Sequence, residues 1–228
     1  MTQIRLWMIT CCGGIVTGCS IPHGSLARPV ELAPEAPQRI AVGGLVVLGA
    51  VGTNFKAEGD AAFTSVADDL VVVPAASYDY DFGPRNVFGL EVSLLSTLFS
   101  FDHDVAALIV NPRYEYGFNE YVSMTVDVNI GYLNDGDSGS VFFTPTMGVR
   151  GYVPTGFGGF VVSQQVGTSV FTLVAPGSLA YDVPIPLGET ARLHLFPEVR
   201  WDPTFLLISD EAGGIVIFSG GFTVMLEF

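Results

Sequence analysis

The sequence predicts an all-β fold, an antiparallel up-and-down β-barrel of about ten strands with its apolar face turned outward. Three observations carry this reading. After residue 68 most of the chain alternates apolar and polar residues with period two, the signature of strands with two unlike faces. Of the 228 residues, 49% are hydrophobic and only 14% charged, yet beyond residue 16 no run of about 18 apolar residues could cross a bilayer as a helix. The connections also fall into two sets, one short and one variable, as in a barrel whose two rims differ.

Residues 1–18 read as an export signal. Arg5 supplies the positive start, and residues 6–16 form an apolar stretch too short to span. Val16-Thr17-Gly18-Cys19 follows directly and resembles the bacterial lipobox, which implies lipidation of Cys19. The plain alternative is cleavage after Ser25-Leu26-Ala27. Cys11, Cys12 and Cys19 are the only cysteines, so the folded domain is expected to hold neither a disulfide framework nor a cysteine metal site. Residues 19–39, with Pro22, Pro29, Pro34 and Pro37, read as a flexible tether, and residues 40–228 as the barrel.

The first segment, residues 40–53, is apolar with weak alternation. Its β-branched residues and four glycines favour strand over helix. Residues 54–68 form a polar loop. Residues 69–81 place Pro74, Ala76, Tyr78 and Tyr80 opposite Ser77, Asp79 and Asp81; residues 82–84 turn. Residues 85–100 set Phe88, Leu90 and Val92 against Glu91 and Ser93, and residues 104–117 set Leu108, Val110 and Tyr114 against Asn111, Arg113 and Glu115. Residues 120–133 alternate most cleanly, Val122 to Tyr132 against Ser123, Thr125, Asp127 and Asn129. Residues 140–153 form the next strand. Residues 157–174 form a long one, with a bulge expected at Gln164-Gln165. Residues 175–188, with three prolines, read as a loop. Residues 189–201 and 204–210 read as two strands separated by a turn at Asp202-Pro203.

The chain closes with residues 215–228. Val216, Phe218, Gly220, Phe222, Val224, Leu226 and Phe228 share one face; Ser219, Gly221, Thr223 and Glu227 occupy the other. A C-terminal strand that ends in Phe on its apolar face resembles the outer-membrane β-barrel proteins of Gram-negative bacteria, an architectural class rather than one family. The resemblance implies a transmembrane barrel in the bacterial outer membrane, lipid against its outside, and a periplasmic C-terminus. Phe228 would be the signal read by the barrel-assembly machinery. A monomer is expected. The short turns then all fall on the periplasmic side by parity. Eight strands is the alternative if the first or the short ninth strand is not real.

With the apolar faces outward, Glu91, Arg113, Glu115, Asp127, Arg150, Arg192, His194, Glu198 and Arg200 point inward, as do Asp79, Asp81 and Glu227. This segregation follows from energetics, because a basic residue on the lipid face at mid-depth costs about 2–4 kcal/mol. A small barrel fills its interior with side chains, and buried charges need partners, so these groups are expected to pair and close the lumen. The same pattern with its faces reversed describes an exported soluble lipid-binding β protein, kept as an alternative.

A net charge of −14 with Lys56 as the only lysine excludes a nucleic-acid surface, which must be basic. Two histidine settings bear on chemistry. Asp102-His103-Asp104 lies on a turn of the variable set, and barrel proteases use Asp and His at the rim; a solvated acidic turn explains it more simply. His194 and Glu198 share a face, but four strand residues separate them by roughly 13 Å, too far to pair. Residues 134–139 (NDGDSG) resemble a fragment of a Ca²⁺ loop without its spacing or its bidentate Glu, so turn chemistry accounts for them. No phosphate loop, His-Glu-x-x-His pattern or nucleophile elbow occurs, and no metal or cofactor is expected. The expected role is structural or that of a narrow pore with a charged, plugged lumen; the alternative is a rim hydrolase or acyltransferase acting on lipid or peptide.

Overall fold

The computed structural model describes residues 38–54, 62–64, 72–96, 106–134, 139–168, 172–206 and 213–228. Within them the chain forms β1 (Gln38–Asn54), β2 (Ala62–Thr64), β3 (Val72–Gly83), β4 (Asn86–Ser96), β5 (Ala106–Asn119), β6 (Val122–Asn134), β7 (Gly139–Thr155), β8 (Gly158–Thr168), β9 (Thr172–Val174), β10 (Gly177–Pro186), β11 (Arg192–Leu206) and β12 (Gly213–Glu227). All pairings are antiparallel. The ten long strands form a closed ring. β1 pairs with β3, neighbours then pair in order round to β8, β8 pairs with β10, and β12 returns to β1. The last strand zips to the first from Arg39↔Glu227 up to Asn54↔Gly213, and the backbones of Gln38 and Phe228 exchange hydrogen bonds of 3.2 and 3.0 Å. Closure removes the open sheet edges that a bilayer would not tolerate. The short strands β2 and β9 extend the wall at the rim opposite the termini, on β1 and on β8 and β11.

Ten barrel strands is the number the sequence predicts, but two predicted positions are wrong and the errors compensate. Residues 175–188 hold a strand, β10, with Ser178, Ala180 and Asp182 inward and Leu179 outward. Its prolines are accommodated where partners end. Pro184 and Pro186 lie beyond the last β8 pair, Asp182↔Gly159, and Pro176 sits in the gap between β9 and β10. Conversely, Asp202-Pro203 does not turn: β11 runs unbroken from Arg192 to Leu206. Pro203 lies across from that gap, and its carbonyl accepts from Ala175 N at 2.9 Å. A strand proline costs a ladder bond only where a neighbour would have accepted it.

The long strand predicted over residues 157–174 is two, β8 and the short β9. No bulge occurs at Gln164-Gln165: the β7–β8 register runs evenly from Thr155↔Gly158 to Thr146↔Gly167. The irregularity is in the neighbouring strand instead. Exposed Gln164 turns its amide to the carbonyls of Ala175 and Pro176 at 2.9 and 3.1 Å, the second of which also accepts from Gln165 N at 2.8 Å. Register shifts do occur between Val47 and Gly49, Asp81 and Gly83, and Gly117 and Asn119.

The short connections between β3 and β4, β5 and β6, and β7 and β8 lie at the end that carries both termini, as predicted by parity. The fourth short turn, expected at Asp202-Pro203, is absent; its place at this end is taken by residues 187–191 between β10 and β11, which the sequence analysis assigns to a loop of the variable set and to the start of the next strand. At the β7–β8 turn Gly158 adopts φ 136°, a conformation that side chains rarely take, and a Cβ there would lie 2.0 Å from the Asp182 carbonyl oxygen. Next to it, Gly159 leaves room for the ring of Tyr152.

Candidate functional site: the charged lumen

The outside of the barrel is apolar along its length. Val42, Leu90, Val126, Val149, Val199 and Phe222 are among its exposed side chains, each at least 41% accessible except Val126 at 40%. The exposed charges among the described residues are Arg85, Glu120 and Glu189, all in connections at the terminus-bearing rim. Aromatic residues gather at the same rim: Phe82, Phe118, Tyr121, Phe157 and Phe228 are exposed there. Tyr78 and Tyr114 donate their hydroxyls to Gln38 and Asn86 at 3.1 and 2.7 Å. Amphipathic rings with their polar tips satisfied at one level are the aromatic girdle of a membrane–water boundary. Tyr132, Phe143 and Phe218 are exposed towards the other end. Apolar surface outside, charge inside and a closed antiparallel ring define a transmembrane β-barrel.

Of the nine predicted lumen residues eight are buried on the inward face and Arg192 is half-buried, while Phe228 is exposed at the terminus-bearing rim. Arg113 pairs with Asp79, and Arg150 Nη1 reaches Glu115 Oε2 at 3.3 Å with both side chains no more than 3% exposed. Asp127 accepts from Gln165 Nε2 at 2.6 Å, and Arg200 Nε meets Asp202 Oδ1 at 3.0 Å. Glu91 is buried, as is Glu198, whose two carboxylate oxygens make no hydrogen bond. Arg192 is half-buried at the terminus-bearing end, in register with Glu227. His194 does not pair with Glu198, as expected from the spacing. Its Nδ1 lies 2.8 Å from Asp182 Oδ1, and its ring stacks on Phe196 with centroids 5.9 Å apart.

Three lumen groups escape the sequence reading. Arg39 falls in the predicted tether, yet it is 1% exposed and clasps the barrel seam: Nε meets Glu227 Oε2 at 3.4 Å and Nη2 meets Asp81 Oδ2 at 3.2 Å. Its parity with Ala41 was the available signal. Asp182 and Asp202 were hidden by the prolines that follow each. Altogether eight buried carboxylates (Asp79, Glu91, Glu115, Asp127, Asp182, Glu198, Asp202 and Glu227) face four buried guanidiniums (Arg39, Arg113, Arg150 and Arg200), so the lumen carries an acidic excess.

The interior is not uniformly polar. Ala41, Tyr152, Val161, Ala180, Phe196 and Met225 form a buried apolar cluster inside the barrel toward the terminus-bearing end. Leu45 and Val47 also face inward, which explains the poor alternation of β1: both of its faces are apolar. Above this cluster lies a cavity of about 20 Å³ among Arg113, Asp127, Arg150 and Arg200.

Cys19 and residues 102–104, 135–138 and 207–212 lie outside the described residues. Among the described residues no cluster of three or more His, Cys, Asp or Glu side chains could hold a metal ion, and no helix is long and apolar enough to cross a membrane.

No protein-family model and no curated protein matches the sequence. Solved structures do. Neisserial surface protein A is 10% identical with a TM-score of 0.36, covering 83% of this chain and 97% of its own. The attachment invasion locus protein Ail of Yersinia pestis is 12% identical with a TM-score of 0.34, over 83% and 99%. The toluene transporter TbuX of Ralstonia pickettii is 10% identical with a TM-score of 0.37, over 91% and 92%. At such identities and scores these likenesses carry no assignment, and the fold rests on the strand pairing itself.

Proposed function

We propose that this chain is a small outer-membrane β-barrel with a closed, charged lumen, whose role is structural rather than that of an open pore. The observation that carries the reading is the inversion of the barrel. Its apolar residues face out over the full wall, while arginines and carboxylates are sealed within. A soluble lipid-binding β protein would turn the same faces the other way and gains no support here. Closure of the lumen is supported by the apolar cluster around Phe196 and Met225 and by the roughly 20 Å³ of space left in the charged layer. The bacterial outer membrane is the location, because closed antiparallel barrels with an apolar outside are its transmembrane form; export directed by residues 1–18 belongs to the proposal. Lipidation of Cys19 and recognition of Phe228 by the barrel-assembly machinery belong to the same proposal. The rim-hydrolase alternative rests on Asp102-His103-Asp104, which lies outside the described residues; the described His194–Asp182 pair is buried beside Phe196 and Met225 and is a lumen contact.

The test is extraction and migration. The protein is expected in the detergent-extracted envelope fraction, to run faster unheated than boiled, and to leave a planar bilayer silent. Recovery as a detergent-free soluble monomer would overturn the membrane reading. Steady conductance would overturn the closed lumen alone. For the anchor, fatty-acid labelling should vanish in Cys19→Ala; labelling that persists refutes lipidation.

A further inference from the structure

We infer that the Gln164 side-chain amide stands in for the two backbone N–H groups that Pro176 and Pro203 lack, and so closes a break in the hydrogen-bonded wall on its lipid side. Gln164 is out of keeping with its surroundings. It is exposed on the outward face of β8, between exposed Val162 and Val166, and lies opposite exposed Val149 of β7. A polar amide among valines on such a face is costly unless it finds hydrogen-bond partners within the protein.

The backbone beside it supplies those partners. In an antiparallel ladder a hydrogen-bonded pair of residues exchanges two bonds, one N–H given each way. Two such pairs are half made here. Gln165 N donates to the Pro176 carbonyl at 2.8 Å, and Ala175 N donates to the Pro203 carbonyl at 2.9 Å. The return bonds, to Gln165 O and to Ala175 O, cannot form because proline has no N–H. The two half-pairs adjoin, since Ala175 and Pro176 are consecutive. Gln164 Nε2 donates to both of the deprived carbonyls, Ala175 O at 2.9 Å and Gln165 O at 3.1 Å. Its third contact, Pro176 O at 3.1 Å, already accepts from Gln165 N. One side-chain amide carries two N–H groups, and two are missing from the ladder. Gly177 leaves the room. A Cβ there would lie 2.6 Å from Gln164 Oε1 and 2.5 Å from Trp201 Nε1, so the amide and the indole lie over bare backbone.

The sign of one substitution tests this. A bystander glutamine on a lipid face is improved by leucine, whereas a glutamine that caps carbonyls is not. In urea unfolding of the full chain from lipid vesicles, Gln164→Leu should lower the folding equilibrium by at least about tenfold, because it uncovers carbonyls that hydrocarbon cannot serve. In the Pro176→Ala/Pro203→Ala background both N–H groups return, and the same substitution should cost nothing or stabilise. A neutral or stabilising Gln164→Leu in the native chain overturns the proposal, as does an equal loss in both backgrounds. If a variant does not fold, a crystal structure of the native chain in detergent decides: Gln164 Nε2 should lie within hydrogen-bond distance of both carbonyls, and an amide turned away from them overturns the proposal. The words lipid side rest on the membrane reading, which Val162→Asn tests separately on the same face. It should lose stability, and no loss there would sink the membrane reading while the coupling between Gln164 and the prolines still decides the capping role.

Discussion

Removing the guanidinium of Arg150 tests whether the lumen is held by paired charge. Arg150 and Glu115 sit on β7 and β5, bridge across β6, and are 3% and 1% exposed at a separation of 3.3 Å. Neither side chain can reach bulk water, and Glu115 Oε1 already lacks a hydrogen bond. In Arg150→Met the carboxylate keeps its burial and loses its nearest guanidinium. Breaking a buried pair from one side costs about 3–5 kcal/mol, because the remaining charge is stranded. That is roughly two to three and a half orders of magnitude in the folding equilibrium. The double variant Glu115→Gln/Arg150→Met removes both charges of the pair and should recover part of the loss, since a buried pair replaced as a unit is often neutral, while Asp127 and Glu198 still lose the nearby guanidinium. Reversible urea unfolding from lipid vesicles, followed by tryptophan fluorescence and unheated gel mobility, measures both. A single variant that loses less than about 1 kcal/mol, or a double variant that loses as much as the single, would refute the reasoning.

Three further outcomes follow from the geometry. Gly43→Val should block barrel closure, because a Cβ there would lie 2.7 Å from the Phe222 carbonyl oxygen on the closing strand, whereas Gly156→Ala, with nothing within 4 Å, should leave unheated gel mobility unchanged. Val126→Arg, on the outward face of β6, should cost about 2–4 kcal/mol of folding stability in vesicles, and Phe118→Arg at the rim about 0–1 kcal/mol, measured by the same unfolding assay. If deletion of the Phe196 and Met225 side chains opens a path, the current in a planar bilayer should favour cations over anions, because buried carboxylates outnumber guanidiniums; anion preference would contradict the charge inventory.

Much of the wall was legible because lipid outside and charge inside leave a period-two record. In β6, Val126 and Asp127 cannot exchange faces without stranding a carboxylate in hydrocarbon, so alternation there specifies both strand and orientation. The record fails in β1, where Ala41 joins the interior apolar cluster, Leu45 and Val47 are also buried inward, and both faces look alike. It fails again around residues 175–204. Proline ordinarily marks turns, but here Pro176, Pro184, Pro186 and Pro203 fall where a neighbouring strand is interrupted or has ended, and that is a property of the partner rather than of the local sequence. The lost strand took Asp182 with it, and the imagined turn took Asp202, so the pairings of His194 and Arg200 could not be foreseen. Arg39 was lost for a different reason: the barrel begins at Gln38, two residues before the apolar run that advertised it.

The central claim is that the alternating faces are lipid outside and sealed charge inside. It is tested most directly by spin labels placed singly along β6, at residues 125–130, in a chain freed of its cysteines at 11, 12 and 19 and reconstituted into vesicles. Labels at Val126, Val128 and Ile130 should collide freely with dissolved oxygen and hardly at all with a water-soluble nickel complex, while labels at Thr125, Asp127 and Asn129 should be shielded from oxygen. An oxygen profile without period two, or one with its maxima at the inward positions, would contradict the account.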